Sequence, residues 1–334
     1  MHQTIPGDEV YGPGTYIDKN VLTVPEDSRR IFELLASKTP GFTKDTALWN
    51  TVKFEGRPDP MVPGPMKSPV VTAALHAMCG VVANELLELR DKKPAKAASV
   101  TVDTDHAGIW LASTFTAFVN GKDISNLARS RELSSVFDRD FEKGFGVGPL
   151  AGRTTALYPT KDPGVWYQLH GSLDASKTLC SMGINMNVPL KDFKEGYAYI
   201  REHVQKWSPD ELEMHNIRNG LCGSICYSPE GWRQTEMGKR LAEYPLINYT
   251  HESYAQSTPP SPLNQLPDRR PLAGIKVVEM VRIIAGPTVG VTLASFGADV
   301  IRVNCSRQAD LNVSGADLFC IEPSILTILN RFSN

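Results

Sequence analysis

The stretch RPLAGIKVVEMVRIIAGPTVGVTLASFGADVIRVN, Arg270 to Asn304, carries the architecture of the chain. Its first run, IKVVEMV, has the apolar density of a strand buried on both faces, as in parallel sheets. AGP makes a turn, and Pro287 suits the first turn of a helix, where its missing N–H would have no partner anyway. TVGVTLASF continues the helix, Gly297 stands at the C′ position, and ADVIRV reads as a second strand. Strand, helix and parallel strand make a right-handed βαβ unit, the seed of a doubly wound sheet. The expected fold is α/β with a Rossmann-like parallel sheet and a smaller α/β region. No G-x-G-x-x-G accompanies the turn, which argues against a nicotinamide or flavin dehydrogenase. The helix N-terminus instead offers amides to an anion or a carbonyl oxygen.

Upstream, Tyr254 to Arg270 is proline-rich, polar and without period, the composition of a linker. Before it, ICYSPEGWRQTEMGKRLAEY predicts a short strand, a capped turn and a helix. SPDELEMHNIRNG sets Ser208 as cap, Pro209 at the first helical position and Glu211 to close a capping box. LKDFKEGYAYIREHVQKW is also helical in pattern. RTTALYPT and GVWYQLHG flank Asp162, Pro163 and Gly164, which predicts a hairpin. The longest helix is SPVVTAALHAMCGVVANELLELRDKK. Val71, Leu75, Met78, Val82, Leu86 and Leu89 recur there at three- and four-residue steps and predict a core-facing stripe. Val100 and Val102 alternate as in a strand, and TDHAGIWLASTFTAFV follows as a helix. Asp105 and His106 have no nucleophile beside them, so Thr104 or Asp105 is read as the N-cap. A short amphipathic helix follows Pro25, with Ile31, Leu34 and Leu35 on its apolar face.

The chain has 334 residues, with 35 basic against 37 acidic side chains. Such a balance creates no strong field, so neither nucleic acid nor an anionic membrane is expected as a partner. No apolar run approaches the ~20 residues needed to span a bilayer, and the first residues lack the regions of a signal or transit peptide. The FSN terminus is not a peroxisomal address, and a cytoplasmic location is expected. Six cysteines are scattered, and Cys222 and Cys226 lack a second pair or nearby histidines, so buried thiols are expected and no metal site.

The combination PLAG, AGP and GADVIRV at these spacings resembles the opening of the family III CoA-transferases, also called the CaiB/BaiF family. The likeness runs through some thirty-five residues. MKSPVVTAALHAMCGVVANELLELRDKKPAKAASVTVDTDHAGIWLA is similar to that family's central helix and strand, and the hairpin and the segment through Tyr244 to its later parts. The resemblance divides the chain into an N-terminal irregular or helical segment (1–65), a partial family unit (66–253), the linker (254–270) and the start of a second unit (271–312). Residues 313–334 match nothing in the family pattern and read as an aberrant or divergent tail, with Val313 and Ser314 being what an in-frame splice donor would encode. The whole is similar to a long tandem fungal member cut short, with a possible pseudo-dimer in the full-length chain.

The resemblance implies transfer of CoA between an acyl-CoA and a carboxylic acid, with coenzyme A as a substrate and no separate cofactor. An acyl-CoA racemase or epimerase of the same family, or a non-catalytic half, are the alternatives. Family chemistry uses an Asp carboxylate, in a GD turn before the central helix, as nucleophile. The matching turn here is PGPMKSP, where Met66 to Ser68 offer no carboxylate, so no catalytic residue is assigned and the chain alone is expected to be inactive. What the resemblance does carry over is a CoA-side edge: Arg282, Ile283, Ile284, Ala285, Gly286 and Pro287 around the turn, with Arg302 and Arg307 near the end of the second strand.

Overall fold

A computed structural model of the chain describes residues 22–61, 67–91, 94–111, 118–119, 121–123, 148–172, 174–248, 250, 252–253, 266–282 and 284–303. Two compact units divide it, and the division is discontinuous in sequence. Residues of Asn20–Phe141 and Pro245–Asn334 share one unit, and Glu142–Tyr244 lies in the other. Most of the linker and all of 313–334 lie outside the described residues.

In the discontinuous unit, α1 (Val24–Lys38) opens with a complete capping box. Thr23 accepts from the Glu26 amide, and Glu26 accepts from Thr23, so two orphan donors of the first turn are satisfied. Phe32 and Ala36 are buried, and Phe32 meets Phe42 and Trp49 edge-on. Leu34, expected inside, faces solvent. After α2 (Thr46–Trp49), β1 (Val52–Glu55) leads through a Gly/Pro loop to α3 (Ser68–Asp91). β2 (Val100–Asp103) then pairs parallel to β1, with Val52 opposite Val100 and Glu55 opposite Asp103. This is a βαβ unit in its own right, of which only the helix and second strand were foreseen.

The packing of α3 keeps Met78 of the expected stripe inside but turns most of that stripe outward. Its buried face is Val70, Ala73, Ala74, Ala77, Met78 and Val81, whereas Val71, Leu75, Val82 and Leu89 are exposed. The reason is steric. Small side chains let α1, α4 and the β1–β2 pair approach closely, and a face of leucines would hold them off. The helix is also long and apolar enough to cross a membrane by length and composition. That corrects the sequence reading, although its alanine face here belongs to a protein core. α4 (Thr104–Leu111) is capped by Asp103, whose Oδ1 accepts from the amides of Asp105 at 2.9 Å and His106 at 3.1 Å. The cap is therefore one residue earlier than expected. The helix does not run on through Val119, because β3 (Phe118–Val119) pairs antiparallel with β4 (Lys122–Asp123).

The other unit runs α5 (Ala151–Thr154), β5 (Ala156–Pro159), β6 (Trp166–His170), α6 (Ala175–Ser181), α7 (Phe193–Val204), α8 (Pro209–Arg218), β7 (Cys222–Ile225), α9 (Pro229–Gln234) and α10 (Glu236–Ala242). β5 and β6 form the foreseen hairpin, with Pro159 opposite Trp166, and β7 adds antiparallel to β6. α8 carries the foreseen Ser208–Glu211 capping box. Tyr158, Tyr167, Leu169, Leu179, Ile200 and Leu212 fill the core. Burial pushes the Tyr158 and Tyr167 phenols up, so they stay neutral; the Tyr167 oxygen accepts from Asn216 at 2.8 Å.

The chain then returns to the discontinuous unit. β8 (Lys276–Glu279), α11 (Ala285–Ser295) and β9 (Asp299–Arg302) form a second parallel βαβ unit, with Lys276 opposite Asp299 and Glu279 opposite Arg302. Gly297, at φ 105°, takes the left-handed conformation that ends the helix. Arg90 at the end of α3 holds this segment by donating to the carbonyls of Ala273 at 2.8 Å and Arg270 at 3.3 Å. Asp91 pairs with Arg269 at 2.6 Å. β8 is not buried on both faces, because a two-stranded pair has only one face covered by its crossover helix. Val278 is 65 % exposed, and Glu279 is the buried residue at 7 %. The described residues are thus mixed α/β, with parallel pairing in two small sheets.

Candidate functional site

The connection from β8 to α11 concentrates the unusual features of the molecule. Register sets Glu279 and Arg302 side by side, and their side chains form a buried ion pair with Nε 3.6 Å from Oε1. Arg302 Nη2 donates to the carbonyl of Arg282 at 3.1 Å, so one guanidinium joins the strand carboxylate to the turn backbone. Glu279 also packs its carboxylate against Gly290, in the second turn of α11. The approach is so close that a Cβ on Gly290 would lie 1.6 Å from Glu279 Oε2. Only glycine fits there.

Burial pushes the Glu279 carboxyl up from its ordinary value, against the opposing pull of Arg302 and of the Gly290 amide. Ile284, the residue before α11, has φ 51° and ψ −75° and gives the helix no side-chain cap. A β-branched residue in that region is strained by about 1–3 kcal/mol, which the surrounding contacts must offset. The next two residues, Ala285 and Gly286, present first-turn amides that have no intrahelical acceptor, while Pro287 has no N–H to present. Thr288 closes the turn by donating to the Ile284 carbonyl at 2.9 Å. The result is a held, uncapped helix start suited to a carbonyl or phosphate oxygen.

Of the residues assigned from sequence, Arg282, Ile284, Ala285, Gly286 and Pro287 lie in this connection or the helix start it leads to, and Arg302 reaches it from the end of β9. Arg282, Ile284 and Ala285 are exposed, Gly286 is half-buried, and Pro287 is buried. Arg302 is 4 % exposed and committed to Glu279 and the Arg282 carbonyl, so it supports the turn from beneath and offers little charge to a ligand. Ile283 and Arg307 lie outside the described residues. Glu279 and Gly290 were missed. The signal was present as an acid inside an apolar parallel strand, with an arginine at the register-matched position of the next one.

The turn before α3 is built for another purpose. Lys67 Nζ donates to the Leu22 carbonyl at 2.8 Å and to Asp27 Oδ2 at 3.3 Å. Asp27 is itself gripped by Arg30 at 2.6 Å. Ser68 begins the helix, and Met66 lies outside the described residues. Asp105 lies 3.7 Å from Arg57, and His106 is in the first turn of α4. Among the described residues no cluster of His, Cys, Asp and Glu is placed to hold a metal ion. Cys79, Cys180 and Cys222 are exposed free thiols and Cys226 is half-buried, which corrects the expectation that they lie inside.

One comparison with known proteins is confined to a segment that includes this connection, and others run along most of the chain. Residues 272–312 match the family described as CoA-transferase family III. An acyl-CoA transferase of Gibberella moniliformis is 43 % identical over 309 residues, which are 92 % of this chain and 53 % of that protein. An acetyl-coenzyme A transferase of Hypoxylon pulicicidum is 28 % identical over 308 residues, 89 % of this chain and 51 % of its own length. A succinate–glutarate CoA-transferase of Agrobacterium fabrum is 50 % identical over 49 residues, 14 % of this chain and 12 % of that one. The chain thus spans about half the length of the two fungal relatives it matches along most of its extent.

Proposed function

We infer that this chain, which belongs to the family III CoA-transferases, supplies the CoA-binding edge of an enzyme that moves CoA between an acyl-CoA and a carboxylic acid. One observation carries the reading: the residues that match the family, 272–312, contain the turn held by Glu279, Arg302 and Gly290. Coenzyme A is a substrate in this chemistry, and no separate cofactor is required. In the same reading the two parallel pairs belong to a Rossmann-like sheet.

The reaction follows the aspartyl route. A carboxylate attacks the thioester carbonyl, the C–S bond breaks, and an acyl–aspartyl anhydride forms with release of CoA thiolate. The thiolate then attacks the aspartyl carbonyl, giving aspartyl-CoA and freeing the first acid. The incoming carboxylate attacks aspartyl-CoA to form a new anhydride, and the thiolate returns to the new acyl group and regenerates the aspartate. First-turn amides such as those of Ala285 and Gly286 are suited to oxygens that gain charge during such steps. Lys67 and Ser68 do not supply the nucleophile. The lysine is committed to Leu22 and Asp27, and the serine has no carboxyl group. Residues 1–334 alone are therefore expected to bind CoA without turning it over.

The test is calorimetry of the purified chain with CoA and with acetyl-CoA, followed by hydroxylamine trapping and mass spectrometry. Binding without a hydroxamate on any Asp or Glu is the expected result. A trapped carboxylate together with CoA exchange would overturn the assignment of inactivity, and no binding would overturn the CoA-binding edge.

A further inference from the structure

We propose that Glu279, Arg302 and Gly290 act together as a positioning device for the CoA-binding turn, setting the place of the Ala285 and Gly286 amides without touching the ligand. The proposal rests on the CoA-binding reading above and adds the means by which that turn is held. Its grounds are two contacts made by one buried carboxylate–guanidinium pair. Arg302 reaches the Arg282 carbonyl at 3.1 Å, three residues before the helix begins. Glu279 sets its carboxylate against Gly290, five residues after it, so closely that a Cβ there would overlap Oε2. Between these two fixed points lies Ile284 at φ 51°, a conformation its side chain disfavours.

A turn strained at its centre and pinned at both ends relaxes when either pin is lost. Arg302 serves the turn because its fork can bond Glu279 and the Arg282 carbonyl at once, whereas a lysine would keep the charge and lose the fork. Arg302→Lys is therefore the informative change, since it preserves the buried ion pair while releasing the turn. The strands have their own ladder, including Asp299 N to the Ile275 carbonyl and Val303 N to the Glu279 carbonyl, both 2.8 Å. Their protection should survive the substitution.

Two measurements on the full 334-residue chain separate the possibilities. Hydrogen exchange with CoA absent should show the amides of Ile284, Ala285, Gly286 and Thr288 exchanging several-fold faster in Arg302→Lys, while those of β9 and of the β5–β6 hairpin keep their wild-type rates. Uniform acceleration across β8, α11 and β9 would mean a merely structural pair, and no acceleration would mean that the turn holds itself; either overturns the device. Calorimetry with CoA should then show roughly tenfold weaker binding in the variant, the scale of one charged hydrogen bond. Wild-type affinity retained despite a loosened turn would overturn the link to the ligand. If the wild-type chain does not bind CoA, the functional reading fails, and the exchange data alone decide whether the pair positions the turn.

Discussion

The two parallel βαβ units share a topology and differ in their connections. In β1–α3–β2 the loop after the first strand is long and rich in glycine and proline, and the helix start is tied to α1 through Lys67 and Asp27. In β8–α11–β9 the connection is five residues, and a buried ion pair beneath it bonds the turn and packs against the helix. Each crossover helix brings a glycine against a neighbouring strand. Gly80 of α3 faces the isopropyl group of Val100, and Gly290 of α11 faces the carboxylate of Glu279. The frame is common, but one glycine packs a core and the other seats a charge. The two units therefore differ in what the crossover helix meets: an apolar side chain of the following strand in one, a carboxylate of the preceding strand in the other.

The largest difference should appear when both glycines are enlarged. Gly290→Val puts branched carbon where Glu279 Oε2 now sits, and the carboxylate cannot leave without abandoning Arg302. We expect a loss of about 3 kcal/mol or more, from overpacking together with an unpaired buried charge. Gly80→Ala meets a Val100 methyl at 2.5 Å, which a modest helix shift can relieve at a cost of about 1–2 kcal/mol. Chemical denaturation of the two variants checks the order. Equal losses would mean that the charged seat is no more rigid than the apolar one.

Next is the tie between the two frames. Arg90→Met removes donors to the Ala273 and Arg270 carbonyls, but also removes a buried Nε that has no hydrogen-bond partner. The second effect offsets part of the first, leaving an expected loss of about 1–2 kcal/mol. Exchange should quicken in residues 272–303 while the α1–α3 packing keeps its protection. Loss of protection in both frames together would show that they unfold as one cooperative unit.

Lys67→Met tests the other connection, at a cost of about 1 kcal/mol because Asp27 retains Arg30 and the ammonium is partly solvated. CoA affinity should not change. A loss of CoA binding would place the turn before α3 in the ligand site, contrary to its role here as a clamp.

The charged seat also predicts a pH dependence. Burial raises the Glu279 carboxyl above 4.5 in the folded chain, with Arg302 and the Gly290 amide opposing. Between that value and the raised one, the folded chain holds a proton that the unfolded chain has released. Stability from this group is therefore present below the window and declines as pH rises through it. Glu279→Gln cannot titrate, so the wild type should lose stability relative to the variant as melts move upward from about pH 4. A wild-type curve that gains on the variant over that interval would show that ion pairing, and not burial, governs the carboxyl.

The sequence revealed these regions unequally, and the reason is physical. Pro287, Gly297 and the Ser208–Glu211 box announce local backbone geometry, which neighbours in sequence determine, and the corresponding elements formed where expected. Glu279 was hidden because its burial depends on a partner 23 positions away that only strand register brings alongside. β1 was hidden because VKFE is short and alternates charge with apolar residues, so its pairing with β2 is a tertiary fact. The Asp103 cap was missed by one residue, within the usual uncertainty of helix ends.

The smallest expected effect concerns the most misleading pattern. Val71, Leu75, Val82 and Leu89 recur at helical spacing, and that periodicity alone would place them in the core. Were Leu89 a core residue, replacing it with glutamine would cost several kcal/mol, since both its burial and the polarity of the newcomer would count against folding. Leu89 is instead 65 % exposed, while α1, α4 and the strands take the alanine face of the same helix. Leu89→Gln should therefore change stability by no more than about 0.5 kcal/mol, as at other surface positions. Denaturation at two protein concentrations provides the check. A loss of 2 kcal/mol or more that grows with dilution would show that a second molecule covers the leucine face in solution. The same loss independent of concentration would show that the helix turns its leucine face inward.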